Sequence, residues 1–102
     1  MTKSVRLSGP TLNVLRLFMN DVGRSWSGAE IQLAAKIGSG TLYPLLVRLE
    51  DAGWLSSKWE DVDPSSIGRP RRRYYSITGV GQIAARNALA PLQLEGALAW
   101  QA

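Results

Sequence analysis

"GSGTLYPLLVRLEDAGWL", residues 38–55, decides how this chain is read. Leu42, Leu45, Leu46 and Leu49 recur at i, i+3, i+4 and i+7, the spacing of one buried helix face. Thr41, Tyr43, Pro44, Val47 and Arg48 fall off that face. Yet the front of the segment holds Gly38, Gly40 and Pro44, all poor residues for a helix interior. If Thr41 caps the helix, Pro44 sits in the first turn at no cost in hydrogen bonds. If Ser39 caps it, one bond is lost. The sequence leaves both starts open.

Upstream, "SGAEIQLAAKIG" predicts another helix. Ser27 and Glu30 match a capping box, in which each side chain satisfies the other residue's free amide. Ile31, Leu33, Ala34 and Ile37 are its expected buried side, with Gly38 as the stop. Trp26, just before the cap, reads as core or staple. Only residues 38–40 separate this helix from the next, which is helix-turn-helix spacing. Gly38 and Gly40 suit a tight turn and close approach of a phosphate. The free amides and positive dipole end behind them favour an anion. A plain turn between two core helices is the blander reading of the same residues. Further upstream, Ser8 and Pro10 open a first helix from about Pro10 to Asp21. Leu12, Leu15, Phe18 and Met19 lie at helical spacing, and Gly23 closes it.

Downstream, "WLSSKWE" predicts a strand from Trp54 to Glu60. "DVDPSSIGRPR" is a loop by its Asp, Pro, Ser and Gly. "RRYYSI" is a second strand, so the pair forms a hairpin around a basic loop. Alternation sends Tyr75 and Ile77 toward the core and Tyr74 outward. Thr78 can cap a last helix, which Pro91 should kink or split.

The chain has 102 residues, suited to one domain, and 45% of them are hydrophobic. Cysteine and histidine are absent, which removes disulfides, thiol and imidazole chemistry and the usual zinc ligands. Glu60, Asp61 and Asp63 could hold Mg²⁺, but a charged loop is the preferred reading. No enzyme, metal or cofactor is expected. The net charge is +4 and the pI about 10, which suits a polyanionic partner. Arg69, Arg71, Arg72 and Arg73 gather a third of the basic charge in the hairpin. Such a loop can place guanidinium groups on phosphates or in a narrow minor groove. No apolar run approaches the ~20 residues of a membrane helix, and "MTKSVRLSGP" lacks a signal-peptide core. A cytoplasmic protein is expected.

"SGTLYPLLVRLEDAGWL", then "WED", then "GRPRRRYYSITGVG" together resemble the PadR family of bacterial transcriptional regulators. The likeness spans roughly residues 11–89. It implies a winged helix-turn-helix fold, a dimer and a repressor role. Carried over by position, Ser39, Gly40, Thr41, Tyr43, Pro44 and Arg48 match the recognition helix. Gly68, Arg69, Pro70, Arg71 and Arg72 match the wing, with Tyr74 beside it. The resemblance also implies that the last helix makes the dimer, here through Leu89, Leu92, Leu94, Leu98 and Trp100. Some small relatives hold planar aromatic compounds between subunits. Trp100 is a conceivable contact for such an effector, with packing at the dimer seam preferred.

The expected fold is therefore mainly α with a two-stranded β-hairpin. A winged helix-turn-helix DNA-binding domain covers 1–77 and a C-terminal dimerisation helix covers 78–102. The expected function is sequence-specific binding of a double-stranded DNA operator by a homodimeric repressor, with a small aromatic effector as an added element. The alternative is a winged-helix protein-interaction module that never touches DNA.

Overall fold

The computed structural model describes the backbone of residues 5–101 and the side chains of residues 5–92. Three helices come first, with a two-residue strand between the first two: α1 (Gly9–Asn20), β1 (Trp26–Ser27), α2 (Gly28–Ala35) and α3 (Ser39–Asp51). Then come β2 (Leu55–Trp59), the single turn α4 (Pro64–Ile67), β3 (Arg73–Ile77) and the long α5 (Gly79–Gln101).

The helix starts follow from their caps. The Ser8 hydroxyl accepts from the Thr11 amide at 3.4 Å, and Pro10 lies in the first turn of α1. Ser27 and Glu30 form the expected box, with bonds of 3.0 and 3.2 Å. The Ser27 amide, and beyond it Arg24, hold the Glu30 carboxyl below its ordinary pKa. Thr78 caps α5, its hydroxyl oxygen accepting from the Gly81 amide at 2.9 Å.

Three details of α2 differ from the sequence reading, one of them being Ala34, expected on the buried side but exposed. The helix stops at Lys36, which takes the left-handed conformation (φ 55°), rather than at Gly38. Gly38 is extended (φ −69°, ψ 154°), so the turn draws on no glycine freedom there. Leu33 is 82% exposed, because Ile31 faces the core and a residue two positions on points roughly 200° around the helix.

The hairpin is part of a larger sheet. β3 is central and pairs antiparallel with both β1 and β2. Tyr75 lies opposite Ser57 on one side and Trp26 on the other. A two-residue strand such as β1 carries no alternation to detect, so the third strand was not expected. Trp26 is buried, as the core reading required. Tyr75 and Ile77 face inward and are buried, and burial raises the Tyr75 pKa.

One core unites the described residues. Val14, Leu15 and Phe18 of α1 meet Ile31, the four α3 leucines, Leu55, Tyr75 and Ile77. Ala85 and Leu89 of α5 belong to the same cluster, and Leu92 packs partly against it. The division at 77/78 therefore coincides with no gap in packing. Leu89, expected at a dimer seam, is buried inside its own domain at 5% exposure. Of the kink or split expected at Pro91, the split does not occur: α5 is continuous from Gly79 to Gln101. Proline costs the Asn87 carbonyl its helical partner, while Leu89 and Leu92 on either side are held by packing.

Candidate nucleic-acid interface

The buried stripe Leu42, Leu45, Leu46 and Leu49 sets the rotation of α3 about its axis. Ser39, Gly40, Thr41, Tyr43, Pro44, Val47 and Arg48 consequently face outward, all exposed. Gly38 is the N-cap, earlier than either start considered above, and it offers no side-chain cap. Its carbonyl accepts from Thr41 at 3.1 Å and from Leu42 at 2.9 Å. The amides of Ser39 and Gly40 have no acceptor among the described residues. Pro44 is thus the sixth helical residue, and the Gly40 carbonyl loses its i+4 partner. A Cβ at Gly38 or Gly40 would meet open space, so nothing inside the chain requires glycine there.

Tyr43 leans back over the start of α2. A Cβ on Gly28 would lie 2.6 Å from its hydroxyl oxygen, so glycine at 28 is what lets the ring rest there. The Tyr43 hydroxyl has no partner among the described residues. With Ser27, Trp59, Arg71, Arg72, Arg73 and Tyr75 it lines a groove of about 420 Å³ between α3 and the hairpin. Trp59 is 59% exposed, an unusual position for so large an apolar ring.

The hairpin arginines do different things. Arg69 forms a two-point pair with Glu60, at 2.8 and 3.0 Å, which lowers the Glu60 pKa and raises that of Arg69. Glu60 also accepts from the Arg72 amide at 3.2 Å, while its own amide donates to the Arg72 carbonyl at 2.8 Å. Arg69 therefore closes the base of the loop. Arg71 donates from Nε to the Val62 carbonyl at 2.7 Å, and its two terminal nitrogens have no acceptor among the described residues. The Arg72 guanidinium has no hydrogen-bond acceptor among the described residues, although its charge helps to lower the Glu60 pKa. Gly68 ends α4 in the left-handed region (φ 68°), where glycine is favoured, so its role is to turn the loop. Asp63 caps α4, accepting from the Ser65 amide at 3.0 Å.

Tyr74 stands apart from this surface. It lines a small polar groove with Ser25, Ser56, Ser57, Lys58 and Ser76. Of the residues assigned to dimerisation, Leu94, Leu98 and Trp100 have side chains outside the described residues. Residues that the sequence did not single out here are Gly28, Glu50, Trp59 and Arg73. Arg73 was visible as the end of the basic run. Gly28, Glu50 and Trp59 carry no local signal, because each acts on a residue distant in sequence.

An exposed helix front beside an arginine-bearing hairpin, on one small sheet, is the geometry of a winged helix. The model of the PadR-like family of transcriptional regulators matches residues 29–87, more than half of the chain. The chain belongs to the PadR-like family. A PadR-like transcription factor of Bacteroides fragilis matches at 26% identity with a TM-score of 0.69, over 90% of this chain and 88% of that one. smu.1704 of Streptococcus mutans matches at 26% identity and a TM-score of 0.70, over 94% and 87%. AbfR of Staphylococcus epidermidis shares the fold at 19% identity and a TM-score of 0.64; this chain, 81% covered, spans about half (51%) of that protein's length. No curated protein matches. This PadR-like chain is a transcriptional regulator rather than an enzyme. Among the described residues, no helix is long and apolar enough to cross a membrane.

Proposed function

We propose that this regulator is a homodimeric repressor that binds a double-stranded DNA operator sequence-specifically. The observation that carries the reading is the unpaired set of donors on one side of the molecule. The Ser39 and Gly40 amides, the Tyr43 hydroxyl and the Arg72 guanidinium all lack an acceptor among the described residues, and all are exposed or border the groove between α3 and the hairpin. Phosphates and base edges supply such acceptors. Thr41, Pro44, Val47 and Arg48 face outward from α3 for base contact, Val47 suiting a thymine methyl. Arg71 and Arg72 reach phosphate or the minor groove from the wing, while Arg69 and Gly68 hold the wing in shape.

Support for the dimer comes from α5. Val80 and Ile83 are 62% and 59% exposed, away from the face that carries Ala85 and Leu89. At three- and four-residue spacing, their stripe continues in the sequence through Asn87 and Pro91 to Leu94 and Leu98. The division into a DNA-binding part, residues 1–77, and a dimerisation helix, residues 78–102, is proposed as one of role rather than of packing, since Ala85 and Leu89 of α5 share the core of the first part. The cytoplasm of a bacterium is the proposed setting. Release by a small aromatic effector belongs to the proposal on the family resemblance alone.

The test is selection from random duplex DNA with the full chain, followed by titration. Enrichment of a two-fold symmetric sequence supports the reading, and no enrichment overturns it. Sedimentation of residues 1–92 should show a folded monomer, and a dimer would remove the end of α5 from the proposal.

A further inference from the structure

Glu50 is a carboxylate on the DNA-reading helix, about as unfavourable a charge as that element can carry beside a polyanion. It lies in the last turn of α3 and reaches across to the hairpin. It accepts from Arg73 Nη2, with the two oxygens at 3.0 and 3.3 Å, and from the Ser57 hydroxyl. Arg73 Nε in turn donates to Ser57 Oγ at 2.8 Å, which closes a triangle. The three corners belong to α3, β2 and the first residue of β3. The Arg73 guanidinium also lies 5.5 Å from the Trp59 ring centre and 5.9 Å from that of Tyr75. Arg72, with its free guanidinium, is the adjacent residue.

Such a triangle contributes little to stability, since Glu50 and Arg73 keep 30% and 42% of their side-chain surface exposed. What it does constrain is geometry. A forked guanidinium held by a carboxylate, a hydroxyl and two rings has one placement. The strand that launches the wing is thereby tied to the helix that reads bases.

We infer that Glu50 is a positioning residue for DNA recognition: through Arg73 and Ser57 it fixes the distance and angle between the recognition helix and the wing. This rests on the DNA-binding reading above. The inference runs against simple electrostatics. Removing a negative charge near DNA should tighten binding to any duplex. Loss of a spacer should instead weaken binding to the operator alone, because helix and wing no longer reach their contacts together.

The experiment compares the wild-type chain with Glu50→Gln, Arg73→Lys and a charge control, Asp21→Asn at the end of α1. Each is titrated against the selected sequence and against random duplex, with melting temperature and circular dichroism in parallel. Glu50→Gln should lose about tenfold in operator affinity, the scale of one base contact. Its affinity for random duplex should hold or rise. Arg73→Lys keeps the charge but not the fork, and should show the same selective loss. Asp21→Asn should bind both DNAs equally or slightly better. If Glu50→Gln tightens both DNAs as Asp21→Asn does, or weakens both alike, the inference is overturned. Should Glu50→Gln not fold, Arg73→Lys decides: operator affinity equal to wild type overturns the inference. A wild-type chain that selects no sequence overturns the DNA reading itself, and this inference with it.

Discussion

Arg69 and Arg72 are three residues apart in one basic run, yet their removal should have different consequences. Arg72 has a free guanidinium beside the groove, whereas Arg69 is held by Glu60 through two bonds. Each phosphate neutralised on duplex DNA adds about 0.9 to the slope of log affinity against log salt. Two copies of Arg72→Ala in a dimer should therefore flatten the slope by about 1.8. Between 50 and 200 mM salt, that difference corresponds to a roughly tenfold smaller loss of affinity. Arg69→Ala removes no free cation from the DNA side. It should leave the slope close to wild type and instead loosen the loop, releasing the Arg72 amide from Glu60. Fluorescence anisotropy titrations on the selected duplex at four salt concentrations measure the slopes. Amide exchange at Arg72 measures the loop. An unchanged slope for a folded Arg72→Ala chain, or equal flattening by Arg69→Ala, would refute this division of labour.

Thr41→Ala should relax selectivity at one position of each half-site, at ~1–3 kcal/mol per lost contact. Equal losses on operator and random duplex would show that Thr41 only positions the backbone. Glu60 has a folded pKa below its ordinary value of 4.5, so its contribution to wing order is complete above that value and disappears as the pH falls through the lower one. Acid titration of the Arg72 amide shift should show the transition, and Glu60→Gln should abolish it. Gly81→Ala places a Cβ 2.0 Å from the Trp54 carbonyl oxygen, so α5 must move. The expected loss is roughly 1–3 kcal/mol, on the order of 5–20 °C in melting temperature by calorimetry for a domain of this size.

Features whose cause lies within a few residues were legible in the sequence. The α3 leucine stripe, the Ser27–Glu30 box and the Thr78 cap each act within one or two helical turns. Burial of Tyr75 and Ile77 followed from strand alternation alone. What escaped depends on partners far along the chain. β1 exists because Tyr74 and Tyr75 of β3, some fifty residues downstream, pair with it. Gly28 is required by Tyr43, Gly81 by the Trp54 carbonyl, and Glu50 meets Arg73 only after the hairpin folds back. The arginine run had the same limit. Composition shows that four guanidinium groups are present, and only the folded hairpin separates the one that braces Glu60 from the one left open.

The weak front of α3 has the same kind of explanation. A helix that has Gly38 as its cap, begins Ser-Gly and takes proline as its sixth residue gains little from backbone propensity or capping. Its position is maintained instead by Leu42, Leu45, Leu46 and Leu49, all but fully buried, the first of them already in the opening turn. Burial of a leucine contributes roughly 1.5–3 kcal/mol, so the four outweigh the ~1 kcal/mol cost of a glycine and the bond lost to Pro44. Because packing holds the element from behind, its front carries no side-chain cap. The Ser39 and Gly40 amides stay unpaired among the described residues, and a Cβ at Gly38 or Gly40 would meet open space. A serine or aspartate at position 38 would satisfy one of those amides and strengthen the isolated helix. It would also occupy a donor that the proposed DNA contact uses. Gly38→Ser should accordingly raise the melting temperature and weaken operator binding together, and a variant that gained stability with undiminished operator affinity would show that the free amides serve no contact.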